Sequence, residues 1–252
     1  WVLVLIAACI VGYSKTGVAG VGILAPVMMA DIFDARFSIG ILLPMLIMAD
    51  TFAVLYYRRH AEWKHVIKAL PLAYLGIIMG FIILIIYGDT HGFAAVLKKI
   101  IGLIVIVILL LSIYQAKKKE KSESLESDDS EKVYKPDWWL APFLGIVGGI
   151  ATMLANAAGP IFIVYALALN LPKNSFIGTL AWIFFILNWS KIPFTIYLGY
   201  TNFDSLIFNF KLLPCIIIGA VLGIATVKHI PEKQFTLIIR VLTFLAAIKL
   251  FL

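Results

Sequence analysis

Lys15 lies between Ser14 and Thr16 inside an otherwise apolar run, and Lys191 closes the stretch Asn188-Trp189-Ser190-Lys191 inside another. An ammonium within a bilayer is expensive unless it is paired or hydrated, or unless its long stem lets it snorkel to the interface. Each lysine therefore belongs either to a functional pocket or to the end of a span. Asp50 is the carboxylate deepest in an apolar window, and three roles are open to it: carrying a coupled proton, pairing with Lys15, or serving as a buried structural group. Asn156, Thr152, Ser14 and Thr16 can donate hydrogen bonds. Cations and neutral donors of this kind suit an oxyanion, although the same groups also cap backbone or bond neighbouring helices.

The elements that must position these side chains are two interrupted apolar stretches. One runs through Gly17, Gly20, Gly22 and Pro26; the other runs through Gly145, Gly148, Gly149, Asn156, Gly159 and Pro160. Irregular backbone survives in hydrocarbon only where protein covers it or where it lines a cavity. Proline favours the first turn of a helix, so Pro26 and Pro160 predict the starts of half-helices whose free N–H groups and positive dipole ends face inward. Such an end attracts anions, and paired broken helices near the midplane point to a transporter site. The expected anion contacts are Lys15, Thr16, Gly20, Gly22, Pro26, Asn156, Gly159, Pro160 and Lys191, with Trp182 and Trp189 walling the route and Asp50 as the proton-coupling candidate.

Composition sets the class. Of 252 residues, 62% are hydrophobic and 14% charged, and the mean hydropathy is +1.01. This is an all-α integral membrane protein. Windows long enough to span occur at 37–57, 66–87, 93–115, 176–197, 206–227 and 234–252, each near the 20 or so residues a bilayer needs. Strands of a barrel would alternate instead. Cys9 and Cys215 fall in apolar segments and read as packing residues. His60, His65, His91 and His229 sit in expected loops without metal-ligand spacing, so no metal is expected. Hydrolase, metalloprotease and phosphate-loop signatures are missing from the sequence, and the spans hold no nucleophile paired with a base. No catalytic residue and no cofactor is expected. The net charge of +7 comes largely from short loops, where it reports orientation and contact with membrane lipids rather than nucleic acid.

The chain also repeats itself. Pro71-x4-Gly76-x3-Gly80 recurs as Pro214-x4-Gly219-x3-Gly223, and the Gly40 to Asp50 spacing recurs from Gly178 to Asn188. Between the matched segments lies 116–137, with six lysines and seven acidic residues, a polar linker. Loop charge alternates oppositely in the two halves. Arg58, Arg59, Lys64 and Lys68 in the first correspond to a turn without Lys or Arg at 200–204, whereas Lys228 and Lys233 in the second correspond to a turn without either at 88–91. By the positive-inside rule the halves face opposite ways. The expected fold is thus two inverted repeats of about five membrane segments, 1–115 and 138–252, each opening with a broken-helix hairpin, joined by a cytoplasmic linker. The competing arrangement has eight spans in parallel repeats.

On these glycine-rich broken stretches, the duplication and Gly159-Pro160, the chain resembles the sulfite exporter TauE/SafE family, also called TSUP, over nearly its whole length. Gly20-Val21-Gly22 stands where that family has consecutive glycines. The resemblance implies a multi-pass protein of the bacterial inner membrane that moves small sulfur-containing anions such as sulfite, sulfonates or sulfoacetate. A homodimer fits this class. An anion channel and a carrier of small carboxylates are the alternatives.

Overall fold

The computed structural model describes residues 1–33, 35–88, 92, 99, 103, 106 and 140–251. The linker 116–137 and nearly all of the window 93–115 lie outside the described residues. The helices are α1 (Val2–Thr16), a 3-10 turn (Ala19–Ile23), α2 (Leu24–Ile32), α3 (Ala35–Tyr57), α4 (Trp63–Tyr87), α5 (Leu140–Ala155), α6 (Gly159–Ala168), α7 (Lys173–Tyr197), α8 (Phe203–His229) and α9 (Glu232–Phe251). Among the described residues there is no strand. Among the described residues four helices, α3, α4, α7 and α8, are long and apolar enough to cross a membrane.

These four divide into an inner and an outer pair. The apolar windows of α3 and α7 are 67% and 61% buried, whereas those of α4 and α8 are 33% each. Apolar side chains left on α4 and α8, such as Ile67, Ile85, Ile218 and Val221, are those expected of helices facing lipid. The inner pair runs antiparallel. Gly40 meets the Tyr200 carbonyl, Asp50 meets Asn188, and Gly178 meets the Tyr57–Ala61 turn.

The short helices pack on the outer pair in a crossed manner. α1 lies against α8, and α5 against α4. Gly219 faces Cys9 and Gly223 faces Gly17, while Gly76 faces Ile146 and Gly149, and Gly80 faces Met153. A Cβ at Gly219 would fall on the Cys9 carbonyl, and one at Gly76 on the Ile146 carbonyl. These glycines are what let the backbones touch, so the repeated Pro-x4-Gly-x3-Gly motif forms a contact with the other half each time.

Each pair of short helices folds back on itself. Val4 and Ala7 of α1, Ala25 and Met29 of α2 and Ile41 of α3 share one apolar cluster. In the second half, the Tyr165 hydroxyl on α6 donates to the carbonyl of His65 at the start of α4. Against the expectation of loop histidines, His65 lies in the first turn of α4 and His229 ends α8. The ends of the bundle also differ in charge. The α3–α4 turn carries Arg58 and Arg59, Gly178 near the start of α7 sits on that turn, and Lys228 lies 5.8 Å from the Tyr56 ring. Lys173 reaches the Val227 and Ile230 carbonyls at the same end. Lys and Arg thus gather at one end, and the turn between α7 and α8 lies at the other.

Candidate functional site

Both breaks have local causes. α5 stops at Ala155, and Asn156 follows with φ 51°, a left-handed conformation that Asn tolerates better than most residues. α6 restarts at Gly159 with Pro160 in its first turn. The first break is longer: α1 ends at Thr16, and the 3-10 turn leads into α2, where Pro26 is the third residue. The N–H groups of Ala19, Gly20, Ala158, Gly159 and Ile161 donate to no backbone carbonyl among the described residues. They belong to helix starts, where such orphans are expected.

The two breaks border one cavity of about 60 Å³. Gly20, Gly22 and Pro26 line it from the first break, and Asn156, Gly159 and Pro160 from the second. Ser14, Lys15, Thr152, Phe184, Asn188 and Thr243 complete its polar and aromatic wall. At about 10–15 Å³ of probe space per water, it has room for a handful of heavy atoms. An anion of four or five heavy atoms fits this space, whereas a larger organic anion needs the cavity to expand.

Of the two expected cations, Lys15 lines the cavity, whereas Lys191 does not and stands behind the Thr152 and Asn156 wall. The Lys15 ammonium lies 2.8 Å from Asp50 Oδ1 and 3.9 Å from the centre of the Phe184 ring. Asp50 is fully buried, and its other oxygen accepts from Asn188 Nδ2 at 2.6 Å. Of the roles open to Asp50, the geometry places it as the partner of Lys15. Lys191, only 1% exposed, donates to Asn156 Oδ1 at 2.6 Å, Thr152 Oγ1 at 2.9 Å and the Thr152 carbonyl at 3.2 Å. Three acceptors match the three N–H bonds of an ammonium. Because Thr152 Oγ1 accepts from Lys191, its own proton is free for a group in the cavity.

Other expected contacts lie elsewhere. The Thr16 hydroxyl, fully buried, donates to Ala220 of α8 at 2.7 Å and to Gly12, so it joins helices instead of facing the cavity. Trp182 packs on Trp63 with ring centres 4.8 Å apart. It precedes Asn188 by six residues, about 240° around the helix at roughly 3.6 residues per turn, which turns it away. Trp189 is 51% exposed. Asn156 lines the cavity with both ends of its amide engaged, Oδ1 by Lys191 and Nδ2 by the Ile39 carbonyl at 3.3 Å. Phe184 and Thr243 are wall residues that the sequence reading missed. Phe184 had a signal, since 184, 188 and 191 fall at i, i+4 and i+7 on one face of α7.

Among the described residues no cluster of His, Cys, Asp and Glu has a metal-holding arrangement. Broken helices meeting at an interior cavity, within a bundle of lipid-facing and buried spans, define a multi-pass membrane protein with the architecture of a transporter. A family described as sulfite exporter TauE/SafE matches residues 2–250. The chain belongs to that family of membrane transporters. No curated protein matches the chain, and no solved structure does.

Proposed function

We propose that this protein is a secondary transporter of a small sulfur oxyanion, with sulfite the best-fitting guest. The observation that carries this reading is the convergence of both helix breaks and the Lys15 ammonium on one small cavity. The free N–H groups of Ala19, Gly20, Ala158 and Gly159 would take the oxygens, and Lys15 and Thr152 would supply side-chain donors. The cavity volume favours sulfite over sulfoacetate and longer sulfonates.

The carrier moves by rocking one half against the other about the fixed site. In this reading the halves, 1–115 and 138–252, are inverted repeats. The antiparallel contact of α3 with α7 and the crossed packing of α1 on α8 and α5 on α4 support the inversion, because parallel repeats would set α3 and α7 side by side in the same direction. The lysine-rich end, and the linker 116–137 with it, would face the cytoplasm of a bacterial cell bounded by its inner membrane.

Purified protein tested by thermal shift should be stabilised by sulfite by several degrees at about 100 times the dissociation constant, less by sulfoacetate and least by acetate. Vesicles holding the protein should show saturable exchange of labelled for unlabelled sulfite. No stabilisation by any small sulfur oxyanion would reject the reading, and single-channel currents without exchange would replace the carrier with a pore.

A further inference from the structure

A second cavity of about 20 Å³ adjoins the first and shares with it the walls formed by Ser14, Lys15, Ala19 and Phe184. Its remaining lining is Gly17, Ile177, Leu180 and Ala181. These α7 residues flank or closely follow Gly178, which sits against the Tyr57–Ala61 turn, so the second cavity lies between the first and the lysine-rich end. Lys15 and Phe184 stand on the boundary. The Phe184 ring is held edge-to-face by Phe162, with centres 5.5 Å apart and planes at 87°, and the Lys15 ammonium covers it at 3.9 Å. The end of α1 is itself fixed, because the Tyr57 hydroxyl donates to the Thr16 carbonyl at 2.9 Å. The flexible stem of Lys15 is the part left free to move.

We propose that Lys15 and Phe184 form an anion-operated gate between the binding cavity and the lysine-rich face; the proposal rests on the transport reading above. In the unloaded state the ammonium is shared between the Asp50 carboxylate and the Phe184 face, and the ring blocks the passage. An anion in the first cavity competes for the ammonium and draws it off the ring. Phe184, no longer covered by the ammonium and steered by its edge contact with Phe162, can then turn aside and join the two cavities. An empty site keeps the gate shut, so opening is tied to loading and the resting protein does not leak. The second cavity, with an almost wholly apolar lining, provides a passage and no competing binding site.

The experiment compares the wild-type chain with Phe184→Ala and Phe184→Leu in vesicles, reading sulfite exchange, downhill chloride and sulfite efflux, and sulfite-induced thermal shift. Phe184→Ala should leak both anions without saturation and lose exchange while still binding sulfite. Phe184→Leu keeps bulk but removes the aromatic face. It should remain sealed and bind sulfite about threefold more tightly, because the lysine no longer has to leave a ring. Unaltered leak and exchange in Phe184→Ala, or, if the alanine variant does not fold, unaltered sulfite affinity in a folded Phe184→Leu, would overturn the gate. If wild-type protein neither binds nor moves sulfite, the substrate reading falls instead, and the chloride leak of Phe184→Ala still reports on the partition.

Discussion

The first break extends from Gly17 to Ile23 and fills most of that length with a 3-10 turn, whereas the second takes only Asn156, Ala157 and Ala158. Their cations differ too. Lys15 comes from the helix that precedes its own break and pairs with a carboxylate, while Lys191 comes from α7 and is held by neutral oxygens of Thr152 and Asn156. At the matched positions of the inner helices stand Asp50 and Asn188, which bond to each other. The common backbone plan is therefore carried by unlike side chains. The glycines at the crossed contacts leave no room for a side chain, whereas the polar positions around the cavity differ in type and in partner from one break to the other.

The largest expected effect tests that asymmetry of charge. Lys15→Met strands the buried Asp50 carboxylate and should cost about 3–5 kcal/mol by thermal or denaturant unfolding. Lys191→Met leaves only neutral oxygens unpaired and should cost about 1–3 kcal/mol. A Lys15→Met, Asp50→Leu double variant should recover most of the loss while failing to bind sulfite. Equal costs for the two single variants would mean the carboxylate does not set the difference.

Next come the crossed contacts. Gly219→Ala and Gly76→Ala should each destabilise by about 1–3 kcal/mol, since a methyl group must displace a facing carbonyl. A large effect at one and none at the other would show that the two contacts are not equivalent. In the middle of that range falls Asn156→Ala, expected to lose about 2 kcal/mol from its left-handed backbone and its bond to Lys191. Asn156→Gly should recover the backbone share of that. The smallest change in stability, within about 0.5 kcal/mol, is expected for Gly159→Ala, where a Cβ meets nothing within 4 Å. Its sulfite affinity should nonetheless fall, because the methyl group enters beside a free N–H; unchanged affinity would remove that helix start from the site.

Backbone features were the most legible in the sequence. Glycine and proline act locally, so the interruptions before Pro26 and Pro160 and the spans of α3, α4, α7 and α8 follow from composition and spacing alone. The pairing of Asp50 with Lys15 was one of three readings, since a sequence tells that two charges are buried without telling how far apart they fold. Thr16 was not legible: a hydroxyl beside a break can face the cavity or the neighbouring helix, and only the approach of α8 decides. Phe184 went unnoticed because a phenylalanine in an apolar helix resembles any lipid-facing one until its face-mates Asn188 and Lys191 are considered with it. By sequence Lys191 fits either a pocket or the end of a span; α7 continues to Tyr197 and buries it.

Lys173 fixes the foot of α7, the point about which a rocking carrier would swing that helix. Its ammonium grips the Val227 and Ile230 carbonyls at 2.7 and 2.8 Å, and its N–H reaches Glu232, pinning the foot of the helix to the α8–α9 corner. At about 1.5 Å rise per residue, Phe184 rides roughly 16 Å and Lys191 roughly 27 Å along the arm. A swing of about 10° about that pin would move the aromatic ring by roughly 3 Å and the far ammonium by roughly 5 Å. One small rotation would thus move the cavity wall at Phe184 and the Lys191 support behind Thr152 and Asn156 by unequal strokes.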